Sequence, residues 1–216
     1  MKFEENNIYH IYNRGNNRQP IFFDDENYLF FLKKLKKELT PYCKVLAYCL
    51  MPNHFHLMIW VGEIDTRLTA QRSSNSSDVF GVETRPTALS GRTGTEVLSR
   101  KIGTVLSSYT QAINKQQNRT GSLFQQKTKA KCLTQSGENY PAICFHYIHQ
   151  NPLRAKLVTK MEDWEYSSFK DYAALRKGTL PEIAFCKEII EIPISSEEFF
   201  QESYAIISED VMNQLY

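Results

Sequence analysis

Met51-Pro52-Asn53-His54-Phe55-His56-Leu57-Met58-Ile59-Trp60 decides how this chain is read. A strand-like apolar run, Lys44 to Leu50, leads into it, and another, Leu57 to Val61, leaves it. Pro52-Asn53 is a turn signal between the two, so the local expectation is a hairpin. Alternate residues of a strand share a face. His54 and His56 therefore point together, while Phe55 points the other way into a core. Two neighbouring imidazoles on a rigid strand are ready ligands for one metal ion. The plainer alternative is two ordinary polar residues on a half-exposed strand, and their pairing beside a turn weighs against it.

Working outward, Ile8 to Asn13 is a short strand candidate ended by the polar loop Arg14-Gly15-Asn16-Asn17. Phe23 to Leu39 reads as a helix. Asp24 can cap it, Asp25 and Glu26 suit its first turn, and Tyr28, Leu29, Phe31, Leu32, Leu35 and Leu39 recur at three and four residues. Residues 63–96 are rich in Ser, Thr, Asn, Gly and Arg without apolar period, and read as a mobile or disordered insertion. Leu98 to about Asn118 is the second long helix, with Ile102, Val105, Leu106, Tyr109 and Ile113 at helical spacing. Ser122 to Leu133 follows as a strand that sets Gln125, Lys127, Lys129 and Lys131 on one face. Such a lysine stripe can track a phosphate backbone or simply protect an edge strand. Glu138 to about His149, closed by Asn151-Pro152, and Trp164 to Arg176 read as further helices. The order strand, helix, strand, strand, helix, strand predicts an α+β, ferredoxin-like sheet with its helices on one face. The main domain is expected over 1–62 and 97–176. Residues 177–216, with a capping-box pattern from Ser195 to Glu198, are expected to be an acidic, mainly helical C-terminal extension.

Composition narrows the function classes. The 216 residues are 42% hydrophobic, enough for a real core. No apolar run approaches the roughly 20 residues of a membrane-spanning helix. The N-terminus, Met1-Lys2-Phe3-Glu4-Glu5, lacks a signal-peptide pattern, so the expected location is cytoplasmic. Five cysteines at irregular spacing form no CxxC pair and read as reduced, mostly buried thiols. From Gly178 onward Lys187 stands against eight acids, leaving 25 basic and 16 acidic residues before it. A basic body with an acidic tail suits a nucleic-acid binder.

Tyr109 joins the histidines as a candidate. A tyrosine can be a covalent nucleophile, and a divalent metal polarises the phosphodiester it would attack. The competing reading for Tyr109 is a core aromatic. Mg²⁺ or Mn²⁺ wants further oxygen ligands, and Gln111 or Asn114 could supply one.

Met51 to Leu57 resembles the HUH motif (histidine, hydrophobic residue, histidine) of the single-tyrosine transposases. Tyr9-His10-Ile11-Tyr12-Asn13-Arg14-Gly15 is similar to that family's first strand and loop. Tyr109 to Asn114 and Arg119 to Gln125 resemble its catalytic helix and the strand after it. Tyr147-Ile148-His149-Gln150-Asn151-Pro152-Leu153-Arg154-Ala155 and Trp164-Glu165-Tyr166-Ser167-Ser168 resemble the C-terminal segment of the branch called REP-associated tyrosine transposases. The resemblance covers about residues 5–62 and 98–175. It implies a ferredoxin-like HUH fold that cleaves and rejoins single-stranded DNA near a hairpin. It also implies a 5′-phosphotyrosine intermediate, a Mg²⁺ or Mn²⁺ ion, and compatibility with a homodimer. On this chain it implies His54, His56 and Asn114 as metal ligands and Tyr109 as nucleophile. Arg14, Arg119, Lys127, Lys129, Lys131 and Arg154 are then the expected DNA contacts. Two departures stand out: Lys127 where the family usually has Arg, which is not a neutral exchange at a bidentate site, and the long insertion. A DNA-binding regulator of the same fold that no longer cleaves is the alternative. His10 and His146 carry no matching ligand role. His149 and Asn151-Pro152 are expected to shape a helix end.

Overall fold

The computed structural model describes residues 1–63, 94–135, 137 and 139–208. Four strands, β1 (Asn7–Arg14), β2 (Lys44–Met51), β3 (His54–Val61) and β4 (Lys129–Cys132), form an antiparallel sheet in the order β2-β3-β1-β4. Two long helices, α1 (Asp25–Leu39) and α2 (Gly94–Gln116), make the crossovers and pack on each other. This is the ferredoxin-like α+β arrangement. The tight turn at Pro52-Asn53 sets the β2–β3 register, pairing Met51 with His54 and Cys49 with His56.

The period of each element decides which face it buries. On β3, Phe55, Leu57, Ile59 and Val61 join Tyr9 and Ile11 of β1 in one core beneath α1 and α2. Phe31, Leu35 and Leu39 of α1 and Leu98, Ile102, Val105, Tyr109 and Ile113 of α2 complete it. Truncating a ring such as Phe31, fully buried, costs about 3–5 kcal/mol in sites of this kind. Helix α1 starts where the Asp24 side chain accepts from the Asn27 N–H at 2.9 Å. That bond satisfies one of the otherwise orphaned donors of the first turn.

The opposite face is not bare. Helix α3 (Tyr140–Arg154) lies against β2, and the shorter α4 (Phe169–Tyr172), α5 (Ile183–Ile189) and α6 (Ser196–Ser203) follow it. Phe145, Ile148, Phe169, Cys186 and Phe199 meet Met58, Leu46 and Cys49 in a second core. The two crossover helices share one face of the sheet, as expected, and the helices from α3 onward cover the other. A β3 strand with apolar residues on both sides demands cover on both. Polar pins hold this layer to β2. The Tyr48 N–H donates to Ser168 Oγ at 2.9 Å, His149 Nε2 meets the same oxygen at 2.7 Å, and the Tyr172 hydroxyl donates to Leu46 O at 2.5 Å.

Three local expectations change. The strand expected over 122–133 is regular only over Lys129–Cys132, preceded by an isolated bridge between Gly15 and Phe124. The helix expected over 164–176 contracts to α4, because Arg176 folds back to clasp buried Asp171 with two 2.8 Å bonds. Helix α3 runs through Pro152 to Arg154 rather than closing at Asn151-Pro152. Ser195 does cap α6, accepting from the Glu198 N–H at 3.2 Å. The insertion expected over 63–96 lies almost wholly outside the described residues, as do the last eight residues of the C-terminal extension.

Candidate nucleic-acid site

Strand pairing sets Arg14 opposite His54, Tyr12 opposite His56 and Lys129 opposite Tyr12. Directly opposite residues share a face, so all five side chains lie on the α3 side of the sheet. There a cleft of about 480 Å³ is lined by Tyr12, Arg14, Arg18, Asn53, His54 and His56 together with Gln125, Lys127 and Lys129. Gly15 makes the turn that joins the two arginines: a Cβ there would sit 2.2 Å from the Gln19 carbonyl oxygen. The cationic wall and the paired histidines thus form one concave surface, a form suited to a polyanion backbone.

The histidines are held neutral. Burial, partly offset by the hydrogen bond that the charged ring would give the Asn151 side chain and reinforced by nearby Arg14, lowers His54 to about 4. Burial first, then neighbouring His10 and His54, pushes His56 well below its usual value. The His54 and His56 rings stand 5.1 Å apart and perpendicular. Asn53 Oδ1 lies 2.6 Å from Nδ1 of His54, so that nitrogen donates. His10 Nε2 lies 2.8 Å from Nδ1 of His56.

The structure corrects the placement of Tyr109. It is fully buried in the α1–α2 core, on the other side of the sheet from His54 and His56. Its ring meets Phe31 at 4.9 Å, and its hydroxyl donates to Ile21 O at 2.7 Å. Burial raises its pKa far above the ordinary phenol. Asn114 shares α2, and its Nδ2 donates to Gly121 O at 2.8 Å, tying the helix end to the next turn. Neither residue is brought to the histidines.

Helix α3 brings others. The Tyr147 ring stands edge-on to His56 with centroids 5.6 Å apart, and 6.3 Å from His10. Asn151, one turn later, reaches His54. Its Nδ2 is spent on Tyr147 O at 2.8 Å, so Oδ1 is the atom that favours positive charge at the imidazole. Tyr12 tilts over His10 at 4.8 Å, with its own pKa raised by burial and then by Tyr140. Two signals in the sequence pointed here: Tyr147 and Asn151 are spaced i, i+4 on one helix, and His10 and Tyr12 are spaced i, i+2 on one strand.

Of the expected DNA contacts, Arg14, Lys127 and Lys129 line the cleft, and Arg18 joins them. Lys131 shares their strand face, but its Nζ donates to the Tyr140 hydroxyl at 2.9 Å and rides 5.2 Å over that ring. Arg119 is half-buried past α2, with Nη2 donating to Ser122 O at 3.4 Å. Arg154 is exposed at the end of α3. Neither lines the cleft.

Among the described residues no group of three or more His, Cys, Asp or Glu side chains is arranged to hold a metal. The donors that do converge are the two neutral imidazoles and the Asn151 amide oxygen. That nitrogen-and-oxygen set fits a divalent cation whose remaining ligands come from phosphate or water.

No family model matches the chain, and no curated protein matches it. A solved structure of a REP-associated tyrosine transposase bound to a REP hairpin does, at TM-score 0.53 and 14% identity, covering 90% of this chain and 97% of that one. A bacterial tRNA(His) guanylyltransferase-like protein in complex with ATP aligns at TM-score 0.33 and 9% identity, over 76% of this chain and 71% of that one. The chain therefore shares the fold of that transposase, at low sequence identity. Among the described residues no helix is long and apolar enough to cross a membrane.

Proposed function

We propose that the chain is a DNA transposase or nuclease that cuts and rejoins single-stranded DNA beside a hairpin, using Tyr147 as the nucleophile. The observation that carries this reading is the delivery of Tyr147 and Asn151 by one helix to His56 and His54, at the wall of a basic cleft. The shared fold with a hairpin-bound transposase supports the substrate class.

In this reading Arg14, Arg18, Lys127 and Lys129 hold the backbone of the strand by its phosphates. His54, His56 and Asn151 would hold Mg²⁺ or Mn²⁺, which withdraws charge from the scissile phosphate. The Tyr147 oxygen attacks phosphorus and its proton leaves to water. The bond from phosphorus to the 3′ oxygen breaks, and that oxygen takes up a proton to become a free 3′-hydroxyl. The 5′-phosphotyrosine keeps the bond energy, so a 3′-hydroxyl can later reverse the step without ATP.

The test is incubation of the full chain with Mn²⁺ and a labelled single-stranded hairpin oligonucleotide. The expected result is a covalent adduct that survives denaturation, persists in Tyr109→Phe and Tyr12→Phe, and vanishes in Tyr147→Phe. Tight binding with no adduct would instead favour the silent regulator. Cleavage that persists in Tyr147→Phe would remove the tyrosine from the chemistry.

A further inference from the structure

His56, in the cleft wall, meets a second imidazole across a single proton. His10 Nε2 and His56 Nδ1 are 2.8 Å apart, the rings are inclined by 21°, and both residues are almost fully buried. A hydrogen bond between two nitrogens holds one hydrogen, so one ring donates and the other accepts. If His10 donates, neutral His56 carries its own proton on Nε2, and neither of its nitrogens has a lone pair for a cation. If His56 donates from Nδ1, its Nε2 is unprotonated and can bind one.

The neighbouring histidine faces the same choice, and its partner settles it. Asn53 Oδ1 can only accept, and it lies 2.6 Å from Nδ1 of His54. Asn53 is itself oriented by its Nδ2, which donates to Arg18 O at 3.3 Å. His54 therefore carries its proton on Nδ1 and presents Nε2 unprotonated.

We infer that His10 does for His56 what Asn53 does for His54. It is a positioning residue: it accepts from Nδ1 of His56 and so holds both histidines in the same Nδ1–H tautomer, the form in which each offers Nε2 to one ion. The sheet makes this geometry available. Tyr12 pairs with His56, so His10, two residues back on the same face of β1, is the diagonal neighbour, within reach of a long side chain. An orienting partner behind a ligating histidine is the general device by which proteins fix ring and tautomer, and losing one typically costs 10–100-fold in metal affinity. The inference rests on the metal-site reading above, and its test separates the two.

The tautomers are read by ¹⁵N NMR of the histidine-labelled full chain without metal. In the wild-type protein His54 and His56 should both report Nδ1–H. His10→Leu, checked for folding by circular dichroism, should move His56 toward Nε2–H and leave His54 unchanged. His10→Gln, whose Oε1 can accept, should restore the wild-type signal. Mn²⁺ affinity by calorimetry should fall 10–100-fold in His10→Leu and recover in His10→Gln. An Nε2–H signal for His56 in the wild-type protein overturns the inference, as does an unchanged His56 signal in folded His10→Leu. If Mn²⁺ affinity does not depend on His56, shown with His56→Ala, the metal reading fails, while the tautomer signals still decide the role of His10.

Discussion

Replacing the hydroxyl of each candidate tyrosine by hydrogen separates their roles, because the two rings sit in different cores. Tyr109 donates to Ile21 O at 2.7 Å with both residues fully buried. Tyr109→Phe keeps the ring among Phe22, Phe31 and Phe124 and removes only the donor. The Ile21 carbonyl is then left without that donor in an apolar setting, which costs about 1–3 kcal/mol. For a chain of this size that is a fall in Tm on the order of 2–4 °C per kcal/mol. No loss of DNA adduct is expected at a temperature well below both transitions. Tyr147→Phe should do the reverse: the adduct disappears, because no oxygen remains to attack phosphorus. Thermal melts and denaturing gels on the same two preparations supply both readings. The reasoning fails if Tyr109→Phe abolishes the adduct while still folded, since a side chain locked behind the sheet has no route to the cleft.

Lys127 and Lys129 line the cleft, so Lys127→Ala and Lys129→Ala should each flatten the dependence of log K on log salt by about 0.7 for a single strand. Lys131→Ala should change it little, its ammonium being engaged by Tyr140; fluorescence anisotropy at several salt concentrations distinguishes the three. Burial holds His146 at about 4 and His149 well below its usual 6.5, even though the Glu202 carboxylate lies 3.6 Å from His146. The unfolded chain takes up those protons near pH 6.5 and the folded chain does not. Stability should therefore be intact above pH 6.5 and fall as pH drops toward 4, by up to about 1.4 kcal/mol per pH unit per histidine. Urea midpoints that stay flat across that window, or a His146→Gln variant with an undiminished slope, would refute the assignment. Gly15→Ala places a Cβ 2.2 Å from the Gln19 carbonyl and must shift the loop between Arg14 and Arg18. Weaker DNA binding with a flatter salt slope is expected, and an unaltered affinity would show that the loop does not position them.

The sheet was legible because its signals are local. Pro52-Asn53 between two apolar runs fixes a hairpin, and period-2 alternation puts His54 and His56 on one side and Phe55 on the other. What alternation cannot say is which helix covers which side. Tyr109 was judged by its chemistry and its distance along the chain, yet its own spacing already argued otherwise. It stands in the stripe Ile102, Val105, Tyr109, Ile113, and a tyrosine in the apolar stripe of a helix faces the core that stripe builds. The His-bearing side of β3 needed a different cover, and the long helix left among the described residues after the two crossovers is α3, where Tyr147 and Asn151 stand one turn apart. That choice depended on the second core, whose members Leu46, Met58, Phe145 and Phe199 are more than 150 residues apart at the extremes and show no shared period. Strand period therefore reveals the pair of ligands, whereas the partner for the pair follows only once every apolar face has been assigned a cover.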